Sequence, residues 1–228
     1  MRKRTNLIYP SLLLAILILF TSNCVKAGDI VKDIDGNFYH TVTIGTQVWM
    51  VENLKTTKYR NGDPIPNVTN NSQWTKLTTC AYCNYENKIV NGKDYGHLYN
   101  WYAINDSRHI APKGWHVPSD AEWTTLTNYL GGENVAGGKL KETGITHWKR
   151  PNSLATNESG FTGLPGGYRS SSDGSFCEFE INGSWWRSSD NNTYNAWYRG
   201  LQYDDGQVYK SYLGLYKCSG FSIRCIRD

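Results

Sequence analysis

The sequence predicts a loop-rich α+β domain, and three observations carry that prediction. Helical periodicity is confined to short stretches, the clearest of which follows Ser119. The C-terminal third reads as short alternating strands punctuated by Gly, Asn and Asp. The 9 Trp, 16 Tyr and 6 Phe supply core area to a chain with few aliphatic runs. Long charge runs are absent, which argues against a disordered chain.

The first 27 residues read as a targeting segment. Arg2, Lys3 and Arg4 precede the unbroken apolar run Leu12–Phe20, which is too short to span a bilayer as a helix and fits a secretory signal. Val25-Lys26-Ala27 predicts cleavage before Gly28, while Cys24 offers a competing lipoprotein site whose preceding Thr21-Ser22-Asn23 fits less well. The expectation is a secreted or cell-surface protein, membrane-bound only if lipidated at Cys24. Four of the 24 basic residues and none of the 20 acids lie in this segment, so residues 28–228 are formally neutral. Neutrality gives no support to a nucleic-acid partner. Residues 28–228 have the length of one domain.

Along that domain, residues 33–37 predict a turn. The alternation of Tyr39–Ile44 and the resumption at Gln47–Met50 after Gly45-Thr46 predict a hairpin. Residues 61–79, with Pro64 and Pro66, predict a surface loop. Leu98, Trp101 and Tyr102 share helical spacing, so a helix is expected over Tyr95–Ile104.

The main helix starts after Gly114-Trp115-His116-Val117-Pro118. Ser119 and Glu122 form a capping box, Trp123, Leu126 and Leu130 share one face, and Gly131-Gly132 stops it. A weaker helical turn covers Val135–Lys141. Phe161–Arg169 reads as a bend. Strands are expected at 176–181, 184–188, 196–203, 207–213 and 221–226, with Asp204-Asp205-Gly206 turning a hairpin.

Several blocks in order resemble the Fibrobacter succinogenes major paralogous domain. They are Thr41–Gly45 with Trp49-Met50 and Glu52-Asn53-Leu54, Tyr95-Gly96 with Leu98–Ala103, and Gly114–Pro118 with Glu122-Trp123. Then come Glu158–Phe161 with Leu164–Arg169, Trp185-Trp186, Ala196–Arg199 and Gly220–Cys225. The similarity runs from about residue 31 to 228. It implies a secreted or surface bacterial domain whose biochemical role is not established. The strand-proline-cap block and the closing Gly-Phe-x-x-Arg-Cys are more distantly similar to the formylglycine-generating sulfatase-modifying fold, a relative of C-type lectin domains. That resemblance implies a compact, irregular C-type-lectin-like domain with two main helices, a twisted antiparallel sheet and long loops. Fold does not carry function with it.

Five cysteines follow the targeting segment, an odd number in a compartment that permits disulfides. Family members often place a cysteine where this chain has Ala111, so the resemblance leaves Cys225 unpaired or paired with Cys83. Cys177 and Cys218 look like additions to the pattern and are expected to pair with each other. Cys80-Ala81-Tyr82-Cys83 has redox spacing without a βαβ context and reads as structural. A formylglycine-generating activity implies a close thiol pair for copper(I) ahead of the closing motif, where only Cys218 stands.

The five histidines are scattered, and His116 reads as a hydrogen-bonded core residue. Glu178 and Glu180 alternate on an expected strand, more simply as a solvated face than as a glycosidase pair. Ser172-Asp173-Gly174, Asp190-Asn191-Asn192 and Asp204-Asp205-Gly206 match no calcium loop; turn chemistry accounts for them, and calcium is left as the less favoured alternative. No metal ligand set and no catalytic constellation stands out, so no cofactor is expected.

The functional expectation is therefore a non-enzymatic extracellular recognition or adhesion module for a glycan or protein. The alternative is a cryptic enzyme of the formylglycine-generating type. The candidate binding residues are Trp185, Trp186, Arg187, Trp197, Tyr198 and Arg199, which pair aromatic rings with guanidinium groups. Neighbours on a strand point to opposite faces, so either one of Trp185-Trp186 faces outward or a loop covers both.

Overall fold

The computed structural model describes residues 27–190, 192–210 and 215–228. The targeting segment up to residue 26, with Cys24, lies outside the described residues, as do Asn191 and the end of the strand expected over 207–213.

The expected hairpin forms as β2 (Phe38–Ile44) and β3 (Gln47–Met50), and β1 (Ala27–Lys32) adds to its outer edge. Next come α1 (Asn71–Trp74), β4 (Tyr82–Cys83), α2 (Ile89–Tyr95), β5 (Leu98–Tyr99), α3 (Trp101–Ile104) and β6 (Trp115–His116). The longest helices are α4 (Asp120–Tyr129) and α5 (Glu133–Leu140). The C-terminal third contains β7 (Tyr168–Arg169), β8 (Phe176–Cys177), β9 (Asn182–Asp190), β10 (Asn195–Gln202), β11 (Tyr209–Lys210), β12 (Leu215–Tyr216) and β13 (Ile226–Arg227).

The first sheet runs β1-β2-β3-β13-β6 and is antiparallel, with the C-terminal strand inserted beside the N-terminal hairpin through Ile226↔Trp49. In the second sheet β10 pairs with β9 along one edge and with β11 and β12 along the other. This is the expected α+β class.

Between the sheets sits an aromatic core. Trp123 from α4 lies 5.1 Å from Trp49, 5.8 Å from Phe161 and 6.2 Å from Trp185, ring centre to ring centre. The capping box forms as read: Ser119 Oγ accepts from Glu122 N–H, and Glu122 accepts from Ser119 N–H at 2.7 Å.

Four local expectations are corrected. The helix over Tyr95–Ile104 is broken into the end of α2, the strand β5 and the single turn α3. Gly96 takes φ 80°, where a Cβ would stand 2.6 Å from Asn53 Cβ, and the backbone of Tyr99 is claimed by Phe221. Tertiary pairing overrides the local helical spacing there. The surface loop 61–79 contains α1 and a fully buried Trp74. The strand 176–181 stops at Cys177, because Glu178 and Glu180 take φ 60° and 63°; they occupy a turn, not a strand face. The stretch 221–226 is irregular until Ile226, and it is buried on both sides.

Candidate functional site

The candidate residues lie on β9 and β10. The register Trp186↔Tyr198 and Trp185↔Arg199 puts Trp185 and Arg199 on one face of the sheet and Trp186 and Tyr198 on the other. Both adjacent tryptophans are buried, so the expectation of an outward ring at Trp185-Trp186 is corrected: Trp185 packs on Trp123 of α4 and Trp186 on Phe221. Trp185 Nε1 donates to Asn53 Oδ1 at 2.8 Å, and Trp186 Nε1 donates to the Tyr99 carbonyl at 2.7 Å. Each indole spends its polar edge inside the core, which fixes it there.

Trp197 and Tyr198 are half-buried. Tyr198 stacks on Phe221 with ring centres 4.8 Å apart. Trp197 lies beneath the Arg187 guanidinium, 4.7 Å from its ring centre. Nearby strand positions expose further rings: Tyr216 on β12 is opposite Asn195, and Tyr209 on β11 is opposite Gly200.

Arg187 and Arg199 are fully buried, and both converge on Asp120, the first residue of α4. Arg187 Nη1 donates to Asp120 Oδ1. Arg199 Nη2 donates to the same oxygen at 2.7 Å and to Thr124 Oγ1 at 3.2 Å, and its Nη1 donates to Glu133 on α5. Lys210 Nζ reaches Asp120 Oδ2 at 3.0 Å. Burial pushes the Asp120 pKa up, but the Lys210 hydrogen bond and the charges of Arg187 and Arg199 outweigh it and hold the carboxyl below the ordinary range. The helix N-terminus favours the same charge. The network is incompletely spent. Arg187 Nε and Nη2, Arg199 Nε and Trp197 Nε1 are buried donors without an acceptor among the described residues.

Sequence reasoning found the two arginines and missed their partners. Asp120 and Glu133 open α4 and α5, and Lys210 ends β11, three places far apart in the chain. Only the packing of α4 and α5 on the second sheet joins them.

The expected Cys177–Cys218 pair is corrected, whereas Cys225 follows its unpaired alternative. Cys80, Cys83, Cys177, Cys218 and Cys225 are all free thiols, with no Cys177–Cys218 or Cys83–Cys225 bridge. Cys83 packs with Trp74 and Tyr85, whereas Cys225 packs with Tyr39 and Tyr99, in a different cluster. Cys218 Sγ instead contacts the Thr75 carbonyl. Among the described residues no group of three or more His, Cys, Asp or Glu side chains is arranged to hold a metal. None of their helices is long and apolar enough to cross a membrane. The acidic turns behave as turns: Asp173 accepts from Ser175, and Asp205 accepts from Gln207 N–H. Within 190–192, Asn191 lies outside the described residues.

His116 is hydrogen-bonded, as expected, but half-exposed and not in the core. Its Nδ1 meets Asp228 and its Nε2 meets Glu122, each at 2.7 Å.

The Fibrobacter succinogenes major domain model matches residues 42–227, from β2 into β13 and through both sheets. The chain belongs to this family. The matched stretch includes the Trp49–Trp123–Phe161–Trp185 core and the Arg187–Asp120–Arg199 network of this family member. No curated protein and no solved structure matches the chain.

Proposed function

We propose that this domain is a non-enzymatic extracellular recognition module whose ligand contacts the Trp197–Tyr198 edge of the second sheet. The observation that carries the reading is the half-buried indole of Trp197, backed by Arg187, on a sheet whose neighbouring strands expose Tyr209 and Tyr216. Partly exposed aromatic rings suit the C–H face of a sugar, so a glycan is the ligand class this edge fits. Trp185 and Trp186 act as core supports under this reading, and Arg187 and Arg199 as positioning residues. The N-terminal segment would deliver the domain outside the cell, with Cys24 as its lipid anchor if that cysteine is the one processed. The formylglycine-generating alternative draws no support from the thiols, since Cys225 is buried with Tyr39 and Cys218 contacts the Thr75 carbonyl.

The test is a glycan array, with a protein pull-down in parallel, on the full chain and its Trp197→Ala variant. The expected result is glycan capture by the wild type and its loss in the variant at an unchanged melting temperature. Equal loss of binding and of melting temperature would make Trp197 a packing residue and defeat the reading. Capture of a protein and no glycan would replace the ligand class.

A further inference from the structure

A separate cleft of about 220 Å³ lies between the turn after β1 and the loop that leads into β6. Each of the two segments that wall it is pinned in place. In the turn, Asp33 Oδ1 accepts from the Asp35 and Asn37 N–H groups at 2.9 Å, and Oδ2 accepts from the Tyr39 hydroxyl at 2.6 Å. The turn presents Ile34 at the cleft, 51% exposed. Arg60 holds the other wall. Its Nε donates to the Ala111 carbonyl at 3.1 Å, and its Nη2 donates to the Pro112 and Trp115 carbonyls at 3.1 and 3.0 Å. A cleft with fixed walls loses little ordering entropy when a ligand fills it.

The cleft is short of negative charge. Lys32, Arg60 and Lys113 line it, and all three are exposed. None of them has a carboxylate partner among the described residues, whereas Lys58, Lys139 and Arg227 pair with Asp35, Glu158 and Asp29. Arg60 spends Nε and Nη2 on carbonyls, and Lys32 Nζ lies 5.4 Å from the centre of the Phe38 ring. The acid in the lining, Asp33, is buried, and both of its oxygens are occupied. A guanidinium with two ammonium groups suits a phosphate monoester, which is close to dianionic at neutral pH. Ile34, with Ile110 and Pro112 beside it in the lining, suits an apolar group attached to that phosphate.

We propose that this cleft binds a phosphate monoester whose organic group is apolar. The phosphate oxygens accept from Lys32, Arg60 and Lys113, and the organic group covers Ile34. The volume is below that of sites that enclose drug-sized ligands, so the ligand is small or enters by its phosphorylated end. This site does not rest on the Trp197 edge, and its test is independent of that reading.

The test is titration of the full chain with phenyl phosphate, followed by the backbone amide signals of Ile34, Ala111 and Lys113, with inorganic phosphate and phenol as separate arms. Phenyl phosphate is expected to shift these signals saturably, about tenfold more tightly than inorganic phosphate, and phenol is expected to give no saturable shift. Lys113 is exposed, so Lys113→Ala is expected to keep the melting temperature and to weaken binding about fivefold. Ile34→Ser is expected to bring phenyl phosphate down to the affinity of inorganic phosphate. Trp197→Ala is expected to leave the titration unchanged. No saturable shift with phenyl phosphate would overturn the proposal. Inorganic phosphate or phenol binding as tightly as phenyl phosphate, or a folded Lys113→Ala variant that binds normally, would overturn it as well.

Discussion

At the scale of single residues, the fold depends on side chains that are large and fully enclosed. Trp123 touches three other aromatic rings of the central core and is 1% exposed. Trp123→Ala is expected to lower stability by about 3–5 kcal/mol, because the cavity it leaves is walled by rings on two sheets. A urea or guanidinium midpoint equal to that of the wild type would refute this. Its helical spacing with Leu126 and Leu130 made Trp123 legible in the sequence. Arg224 was not legible as a core residue, since a charged side chain on an alternating stretch reads as solvent-facing. It is buried because loops need it: it donates to the Met50 and Phe161 carbonyls and twice to Asn53 Oδ1. The candidate site divides in the same way. Its rings and guanidiniums could be named from local pattern, but burial depends on what packs over each strand. It removed Trp185 and Trp186 from the surface and left Trp197 and Tyr198.

At the scale of elements, α4 is the clearest case of local signals agreeing with the final structure. Ser119→Ala is expected to cost about 1 kcal/mol through loss of the cap. The cap is also tied to the end of the chain, since Glu122 holds His116 and His116 holds Asp228. Burial pushes the Glu122 pKa up, but bonds from Ser119 and His116 outweigh it and hold Glu122 below its ordinary 4.5. Its contribution is therefore complete above pH 4.5 and is lost as pH falls through the depressed folded value. Burial pulls His116 down, but bonds to Asp228 and Glu122 outweigh it and hold His116 above its ordinary 6.5. Its contribution is complete below pH 6.5 and is lost as pH rises through the raised folded value. Both contributions are complete between pH 4.5 and 6.5. Chemical denaturation of wild type and His116→Asn should show the largest stability gap in that window, shrinking toward alkaline pH. A gap that does not vary with pH would argue against the clasp.

At the scale of the whole molecule, buried cations and aromatic clusters take the place of covalent staples. Arg169 donates to the Val68, Thr69 and Gly174 carbonyls, and Lys141 Nζ donates to those of Ser153, Gln202 and Asp205. Each gathers loops that have no regular partner for their backbone oxygens. With all five cysteines of the described residues free, reductant is expected to leave the melting temperature unchanged. Burial pushes the Cys83 and Cys225 thiols up to about 12, outweighing the opposing charges of Arg169 beside Cys83 and of Arg224 beside Cys225. In the native protein these two should therefore be the slowest to react with iodoacetamide. A melting temperature that drops with dithiothreitol would reveal a disulfide and reverse this account.

What the sequence determined by itself was the α+β class, the β2–β3 hairpin, the Ser119 cap with its helix and the β10–β11 hairpin. Each is set by contacts within a few residues: side-chain alternation, a cap three residues long, a turn of Asp and Gly. The family was legible too, because its motif blocks keep their order along the chain. The tertiary structure alone decided the rest. Asn53 binds Trp185 and Arg224 from more than a hundred residues away, and Tyr99 exchanges both backbone hydrogen bonds with Phe221. No local periodicity encodes such meetings, because their free energy comes from desolvation and from hydrogen bonds that exist only once distant segments are already packed together.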